Sequence, residues 1–247
     1  MPSRRSFLKT IALAAGGAAA ADRIESMDSG NLQTEYFGLH QFIEEHPDAV
    51  FVMQTNIGKK TDSEAIRNIA LEFSRSVFLP KKTGLPLTTL IPVKPNLDCS
   101  YTADKRYSLE YGMGIVTDPY FIEGVIQGLK DLGLPANRFF IREVNCPFDF
   151  EPRGYTAMAQ RIGAELRDMS AGIGVLPTKD IVWKNVPGGV WFTKIPYLSP
   201  VNAPNSWLLN IAKFKTDGMG LSLCAKNLQG TNVQGYNDHS RPYEENM

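Results

Sequence analysis

The sequence has few of the residues that build metal centres and disulfide frameworks, with three cysteines and three histidines in 247 residues. Cys99, Cys146 and Cys224 are far apart and odd in number, which excludes a dense disulfide framework and any Cys-x-x-Cys motif. One disulfide can form, and one thiol would then remain free. Three scattered cysteines cannot ligate a four-cysteine iron–sulfur cluster. No metal site is predicted, and the sequence leaves the cofactor unknown.

The chain also lacks an excess of basic residues, because 26 Lys and Arg balance 26 Asp and Glu. No run of basic residues is longer than two, as in the lysine pairs at positions 59–60 and 81–82. Nucleic acid binding requires a dense basic face. Nucleic acid is therefore not predicted as a partner.

Long hydrophobic runs are absent as well. The most apolar stretch, residues 10–21, is too short for a membrane span, which needs roughly 20 apolar residues. It follows the paired Arg4 and Arg5 and ends in small residues, the order typical of a signal peptide for the twin-arginine route. The alternative is a soluble N-terminal helix with incidental arginines.

We therefore predict a signal peptide at residues 1–21, with the twin-arginine translocation machinery as a partner and no stable membrane span. This route carries folded proteins, so the mature chain is expected to work in the periplasm or outside the cell. Removal of the peptide takes away three basic residues and leaves a mildly acidic chain.

After the signal peptide, residues 22–47 are predicted to form a linker and a short amphipathic helix, and residues 48–247 an α/β domain. The predicted strands cover 49–54, 87–93, 139–144 and 206–212, with short strands and turns over 175–201. The predicted helices cover 62–78, 118–132 and 155–169. The second of them has Thr117 or Asp118 as its cap and Pro119 at its first position.

The alternation of strands and helices predicts the α/β class, with a mainly parallel sheet and helices on both faces. In such sheets ligands bind at the carboxyl ends of the strands, where the loops converge and helix N-termini point outward. Candidate functional residues are therefore expected just after each predicted strand.

Three predicted elements place polar residues at this edge. Lys94 and Asn96 follow the strand 87–93, and Thr117 opens the next helix, where it caps the helix or contacts an anion. Glu143 and Asn145 lie at the exit of the strand 139–144 and are expected to share one face, because side chains alternate along a strand.

Glu143 is a candidate catalytic base, a group that accepts a ligand hydroxyl, or the ion-pair partner of a nearby lysine. Cys146 lies next to it in sequence. With no histidine near it along the chain, we interpret it as a buried thiol rather than a nucleophile.

The densest polar group follows the last predicted strand. Lys213 and Lys215 have strand spacing and can face one side, and Lys226 and Asn227 follow across a glycine-containing link. Ammonium groups that converge at a strand end need anions, and a phosphate or carboxylate would provide them. The alternative is a set of solvated lysines on a surface loop.

These residues form motifs that resemble the domain-of-unknown-function family 362: KPNL after a strand, TDP at a helix start, a strand that ends in glutamate, and NIAKFKT followed by AKNLQG. The resemblance spans residues 50–230. It implies an α/β fold and a candidate site made of a shared set of polar residues. That set is Lys94, Asn96, Thr117, Glu143, Lys213, Lys215, Lys226 and Asn227.

The resemblance implies little about activity. Members are often exported or joined to iron–sulfur modules, and they look distantly similar to the nickel-dependent lactate racemases. Many relatives have a histidine where this chain has Asp217, which weakens any inference of a metal or a racemase. Relatives also continue beyond the AKNLQG turn, whereas this chain stops at Met247, which leaves open an incomplete sheet at the C-terminal end.

Three functions follow as hypotheses. The first is an enzyme or enzyme-like protein that binds an anionic small molecule through a cluster of lysines and asparagines, with Glu143 or Lys213 transferring a proton. This first hypothesis requires the side-chain amines of residues 94, 213, 215 and 226 to meet in one pocket. The second is an accessory or electron-transfer partner of an iron–sulfur subunit, and the third is a non-catalytic binding module.

Overall fold

The structure is a computed structural model that describes residues 34–97, 116–143, 150–169, 176, 178–190, 193–217 and 220–233. Contacts within the chain divide it after Thr34, and the elements below belong to the unit Glu35–Met247. The strands are β1 (Tyr36–Leu39), β2 (Phe78–Lys81), β3 (Leu85–Pro86), β4 (Ile91–Lys94), β5 (Phe139–Glu143), β6 (Glu165–Asp168), β7 (Ile181–Asn185), β8 (Lys194–Leu198), β9 (Leu209–Asn210), β10 (Lys215–Asp217) and β11 (Gly220–Ser222). The helices are α1 (Gln41–Glu44), α2 (Ser63–Val77), α3 (Pro119–Asp131), α4 (Tyr155–Ile162) and α5 (Cys224–Asn227), with 3-10 turns at Ala136–Arg138, Thr178–Asp180 and Leu228–Thr231.

The central sheet has the strand order β6-β5-β4-β9, and every neighbouring pair is parallel. The chain passes from β4 through α3 to β5 and through α4 to β6, because parallel neighbours need a crossover connection. Inward side chains of β4 and β5, such as Ile91 and Phe139, are fully buried in the main apolar core. The predicted α/β class is therefore confirmed.

The described residues also form three smaller antiparallel sheets. They have the orders β2-β1-β3, β7-β8 and β10-β11. The β7-β8 hairpin lies within the region where short strands and turns are predicted. No helix in the described ranges is long and apolar enough to span a membrane.

Helices α2 and α3 match their predictions closely because both begin with strong local signals. Asp62 caps α2, where its carboxylate accepts a hydrogen bond from the Ala65 amide at 3.0 Å. Asp118 rather than Thr117 caps α3, and Pro119 is its first residue. The two helices pack closely at Gly124, where a Cβ atom would clash with the carbonyl oxygen of Arg67.

The prediction of one helix over residues 155–169 is wrong in its second half. Helix α4 ends at Ile162 because Gly163 adopts a left-handed conformation with φ of 75°, a common helix end. The residues that follow form β6, which pairs with β5 from Phe140 to Glu143. Pairing with a neighbouring strand, which no local pattern reveals, determines this segment.

The predicted strand over residues 49–54 is also wrong. These residues lie outside the helices and strands, and Val50 and Val52 are 81% and 70% exposed. A strand needs a hydrogen-bonded partner. The pairing in this part of the chain is made instead by β1, which was not predicted and which binds β2 and β3 on its two sides.

Two further predicted strands are present but shorter than predicted. The strand expected over 87–93 is β4, which starts later and includes Lys94, and the strand expected over 206–212 is reduced to β9. The short helix expected before residue 47 is α1. The predicted signal peptide lies outside the described residues.

Candidate functional site

The carboxyl ends of β4, β5 and β9 meet at one edge of the central sheet. Lys94 is opposite Asn210 in the register of β4 with β9, and Glu143 is the last residue of β5. Parallel strands end at the same edge. Topology therefore brings together polar residues that are far apart in sequence.

A buried ion pair lies at the centre of this edge. The Lys94 Nζ and Glu143 Oε2 atoms are 2.6 Å apart, and the two residues are 2% and 4% exposed. Lys94 Nζ also donates to the carbonyl oxygen of Pro95 at 2.8 Å and to Oδ1 of Asn227 at 3.2 Å. An ammonium group has three N–H donors. All three are used within the protein, so this amine has none left for a ligand.

The KPNL segment, residues 94–97, is fixed by hydrogen bonds along its length. The Asn96 amide donates to the Thr117 hydroxyl at 3.0 Å, and the Thr117 amide donates to the Asn96 carbonyl at 2.9 Å. The Leu97 amide donates to Glu143 Oε2 at 3.1 Å. Glu143 therefore binds both ends of the segment.

Two buried residues that sequence reasoning missed support this segment from α4 and the turn before it. The Arg153 guanidinium donates to the Leu97 carbonyl at 3.1 Å, and the Tyr155 hydroxyl donates to the Thr117 carbonyl at 2.7 Å. Burial raises the pKa of Tyr155 well above its ordinary value, with a further increase from the charges of Glu143 and Asp118. No local pattern distinguishes a buried arginine in a turn from a solvated one.

The AKNLQG motif, residues 225–230, contacts the Lys94 side chain of the ion pair through Asn227 and Gly230. The Asn227 side-chain amide donates to the Lys94 carbonyl at 3.2 Å and to Oδ1 of Asn210 at 2.8 Å. A Cβ atom at Gly230 would lie 3.2 Å from both Cε and Nζ of Lys94. The glycine therefore allows the backbone of this turn to lie against the buried amine.

Two further charged residues, Asp118 and Lys213, lie on segments that adjoin the hydrogen-bonded network of Lys94 and Glu143. The Thr117 hydroxyl donates to the Ile211 carbonyl at 2.9 Å, which ties the start of α3 to the segment after β9. Asp118 is the next residue after Thr117, and Lys213 lies two residues beyond Ile211. Both are half-buried.

Lys213 differs from Lys94 in its partners. Within the described ranges its amine forms no hydrogen bond and no ion pair. Burial lowers the pKa of Lys213, the positive charge of Lys60 lowers it further, and Asp118 acts in the opposite direction. Burial raises the pKa of Asp118 even though the amides of Tyr120 and Phe121 and the charge of Lys213 act to lower it.

The predicted site residues therefore divide into groups. The structure brings Lys94, Asn96, Thr117, Glu143 and Asn227 into one hydrogen-bonded network. Lys213 interacts electrostatically with Asp118, Lys215 is buried in β10 opposite Ser222, and Lys226 is half-buried in α5. Asn145, Cys99 and Cys146 lie outside the described residues, and Cys224 is a free, exposed thiol. The functional roles assigned to the predicted residues stay predictions.

Among the residues that the structure describes, no group of three or more His, Cys, Asp and Glu side chains is placed to hold a metal ion. The fold and site define an α/β protein with a buried lysine–glutamate pair at the carboxyl edge of a parallel sheet.

Residues 91–243 match the model of the domain of unknown function DUF362. This match covers more than half of the chain and contains the whole network described above. The chain belongs to this family, as its motifs indicated. No curated protein and no solved structure matches it.

Substitution of Lys94 tests the role of the buried pair. Lys94→Met leaves the Glu143 charge buried without its partner, and we expect the free energy of unfolding to fall by about 3–5 kcal/mol. The double variant Lys94→Met with Glu143→Gln removes both charges and should recover most of this loss. Urea unfolding monitored by circular dichroism measures both effects.

The exposed pair of Lys81 and Glu44, with N and O atoms 2.7 Å apart, is the matched control. Lys81→Met should cost no more than about 1 kcal/mol. Additive losses for the two substitutions at Lys94 and Glu143 would contradict the proposed interdependence of the buried pair.

Proposed function

We propose that this DUF362 protein is an exported enzyme or enzyme-like protein that binds an anionic small molecule at the carboxyl edge of its parallel sheet. Lys213 is the amine that meets the anion. One observation supports this assignment above the others: the half-buried Lys213 amine has no hydrogen bond or ion pair in the described part of the chain. A partly desolvated ammonium without a partner is unfavourable, and a bound anion would supply the missing interactions.

Charge around Lys213 supports the same proposal. Lys60 is exposed and near enough for its charge to disfavour the ammonium form of Lys213. An anion between the two amines would offset this repulsion and raise the pKa of Lys213 toward its ordinary value. Because the strong acceptors of amines are carboxylates and phosphates, we assign the ligand to these classes.

The buried pair supports the site indirectly. All three N–H donors of the Lys94 amine are used within the protein. We therefore assign Lys94 to holding the sheet edge in place rather than to ligand binding. Glu143 accepts hydrogen bonds from Lys94 and from the Leu97 amide, so its carboxylate holds the edge together. Lys213 remains the better candidate for proton transfer, because an amine with a lowered pKa exchanges protons closer to neutral pH than an ordinary lysine does.

Removal of the Lys213 amine tests anion binding. Inorganic phosphate or malonate should stabilise the wild-type protein against unfolding, by about 2.7 kcal/mol when the free anion is a hundredfold above its Kd. Lys213→Ala should lose this stabilisation, and Lys184→Ala, which removes an exposed charge in β7, should keep it. Thermal unfolding with and without each anion measures the difference. Equal stabilisation of both variants would contradict the assignment.

Export is the second part of the proposal. It is supported by the order of the paired Arg4 and Arg5, the short apolar stretch and the small residues that follow. In a bacterial host with a functional twin-arginine system, replacement of both arginines by lysine should retain the protein in the cytoplasm. Fractionation and immunoblotting measure this, and Lys81→Arg with Lys82→Arg is the control for charge-preserving changes. Unchanged export of the Arg4 and Arg5 variant would contradict the route.

A further inference from the structure

Asp118 is the carboxyl group whose charge acts on the proposed anion amine, and the buried network does not use it. Asp118 is the N-cap of α3 and accepts a hydrogen bond from the Tyr120 amide at 2.8 Å. Within the described residues it forms no ion pair, although Lys213 is near enough to attract it. The hydrogen bond between Thr117 and Ile211 holds the two segments that carry these residues side by side.

An ionised carboxylate at this position conflicts with the anion that Lys213 is proposed to bind. Two negative charges beside one half-buried amine repel each other, and the effect is strong where solvent is partly excluded. A protonated carboxyl group has no such conflict, because it carries an O–H donor. The chemistry of the site therefore favours the neutral form of Asp118 once an anion is bound.

We propose that Asp118, in its protonated form, donates a hydrogen bond to the oxyanion held by Lys213, so that the site takes up the anion together with one proton. This inference rests on the proposed function and makes it more specific. The ligand is an oxyanion with two acceptor oxygens, one for the Lys213 amine and one for the Asp118 carboxyl group. Asp118 then determines which ligands and which pH values allow binding.

The groups around Asp118 act on its protonation in opposite directions. Burial has the largest effect on its pKa and raises it, while the Tyr120 and Phe121 amides and Lys213 act in the other direction. From α4, Tyr155 faces the same region, and its own pKa is raised well above the ordinary value, so it stays neutral there. From the loop before α2, Lys60 acts on Lys213 and lowers its pKa.

The sign of the pH dependence follows from these directions. As pH rises through the raised pKa of Asp118, the carboxyl group loses its proton and the affinity for an anion falls. At higher pH, as it rises through the lowered pKa of Lys213, the amine loses its charge and the remaining affinity is lost. The wild-type protein should therefore show two successive losses of affinity.

Calorimetric titration of the full-length chain with sulfate tests this inference. Sulfate keeps the same charge over the range in which these side chains titrate, so any change with pH belongs to the protein. We expect the wild-type affinity to fall by up to about tenfold per pH unit above the Asp118 pKa, which corresponds to uptake of one proton per anion. Titrations in two buffers with different ionisation enthalpies count that proton directly.

Asp118→Asn is the decisive variant. Asparagine caps a helix as well as aspartate does and carries a permanent N–H donor, so the fold and the hydrogen bond to the anion are kept. Its sulfate affinity should stay constant over the pH range in which Asp118 of the wild type loses its proton. The affinity should fall only at the higher pH at which Lys213 loses its charge. Asp118→Ser also caps the helix and cannot ionise, so it should show the same constant affinity.

Asp131→Asn is the matched control, because it removes the same charge at the opposite end of α3, about 20 Å away along the helix. It should keep both losses of affinity and the uptake of one proton. An Asp118→Asn protein with the wild-type pH profile, or a wild-type protein that takes up no proton, would overturn the inference while leaving the anion site in place. Absence of wild-type binding of sulfate, inorganic phosphate and malonate alike, at every pH, would overturn both the inference and the proposed anion site.

Discussion

The buried ion pair between Lys94 and Glu143 is the interaction on which the carboxyl edge of the sheet depends. It joins the ends of two neighbouring parallel strands, and the same glutamate oxygen accepts the Leu97 amide. A charged pair that is removed from water repays its desolvation only when its remaining hydrogen bonds are made. Here the Pro95 carbonyl and the Asn227 side chain accept the remaining hydrogen bonds of the Lys94 amine. The same amine therefore binds the AKNLQG segment to the sheet.

This requirement separates two kinds of charged residue at one edge. The inner residues, Lys94 and Glu143, are fully engaged with each other and with the backbone. The outer residues, Asp118 and Lys213, are half-buried and lack an ion-pair partner within the described ranges. Perturbed pKa values in partly buried charged groups are a common feature of functional sites, whereas buried ion-pair networks also serve the structure alone. The proposed function follows from this division between inner and outer charges.

Local signals in the sequence were enough for some of this arrangement. Asp62 and Asp118 cap helices where the pattern indicates, and the exits of β4 and β5 carry the polar residues expected there. Local sequence patterns could not predict which side chains pair with each other. The Lys94 amine, for example, binds Asn227, which lies 133 positions later in the chain. The same reason explains segment 49–54, which has a strand-like composition but pairs with no strand in the part of the chain that the structure describes, and the buried Arg153, whose role depends on the Leu97 carbonyl. The sequence patterns identified candidate lysines, but burial and pairing distinguish the buried, ion-paired Lys94 from Lys213, which has no ion pair with any residue that the structure describes.

Observation of the individual lysine amines during anion binding tests this separation most directly. With the lysine side chains labelled by ¹⁵N, the amine resonances are followed by NMR while sulfate is added to the full-length protein. The account predicts a saturable shift of the Lys213 resonance, with the Lys94 resonance unchanged because its three donors stay bound to Glu143, Pro95 and Asn227. A saturable shift of Lys94 without one of Lys213 would contradict it, as would the absence of a response from both.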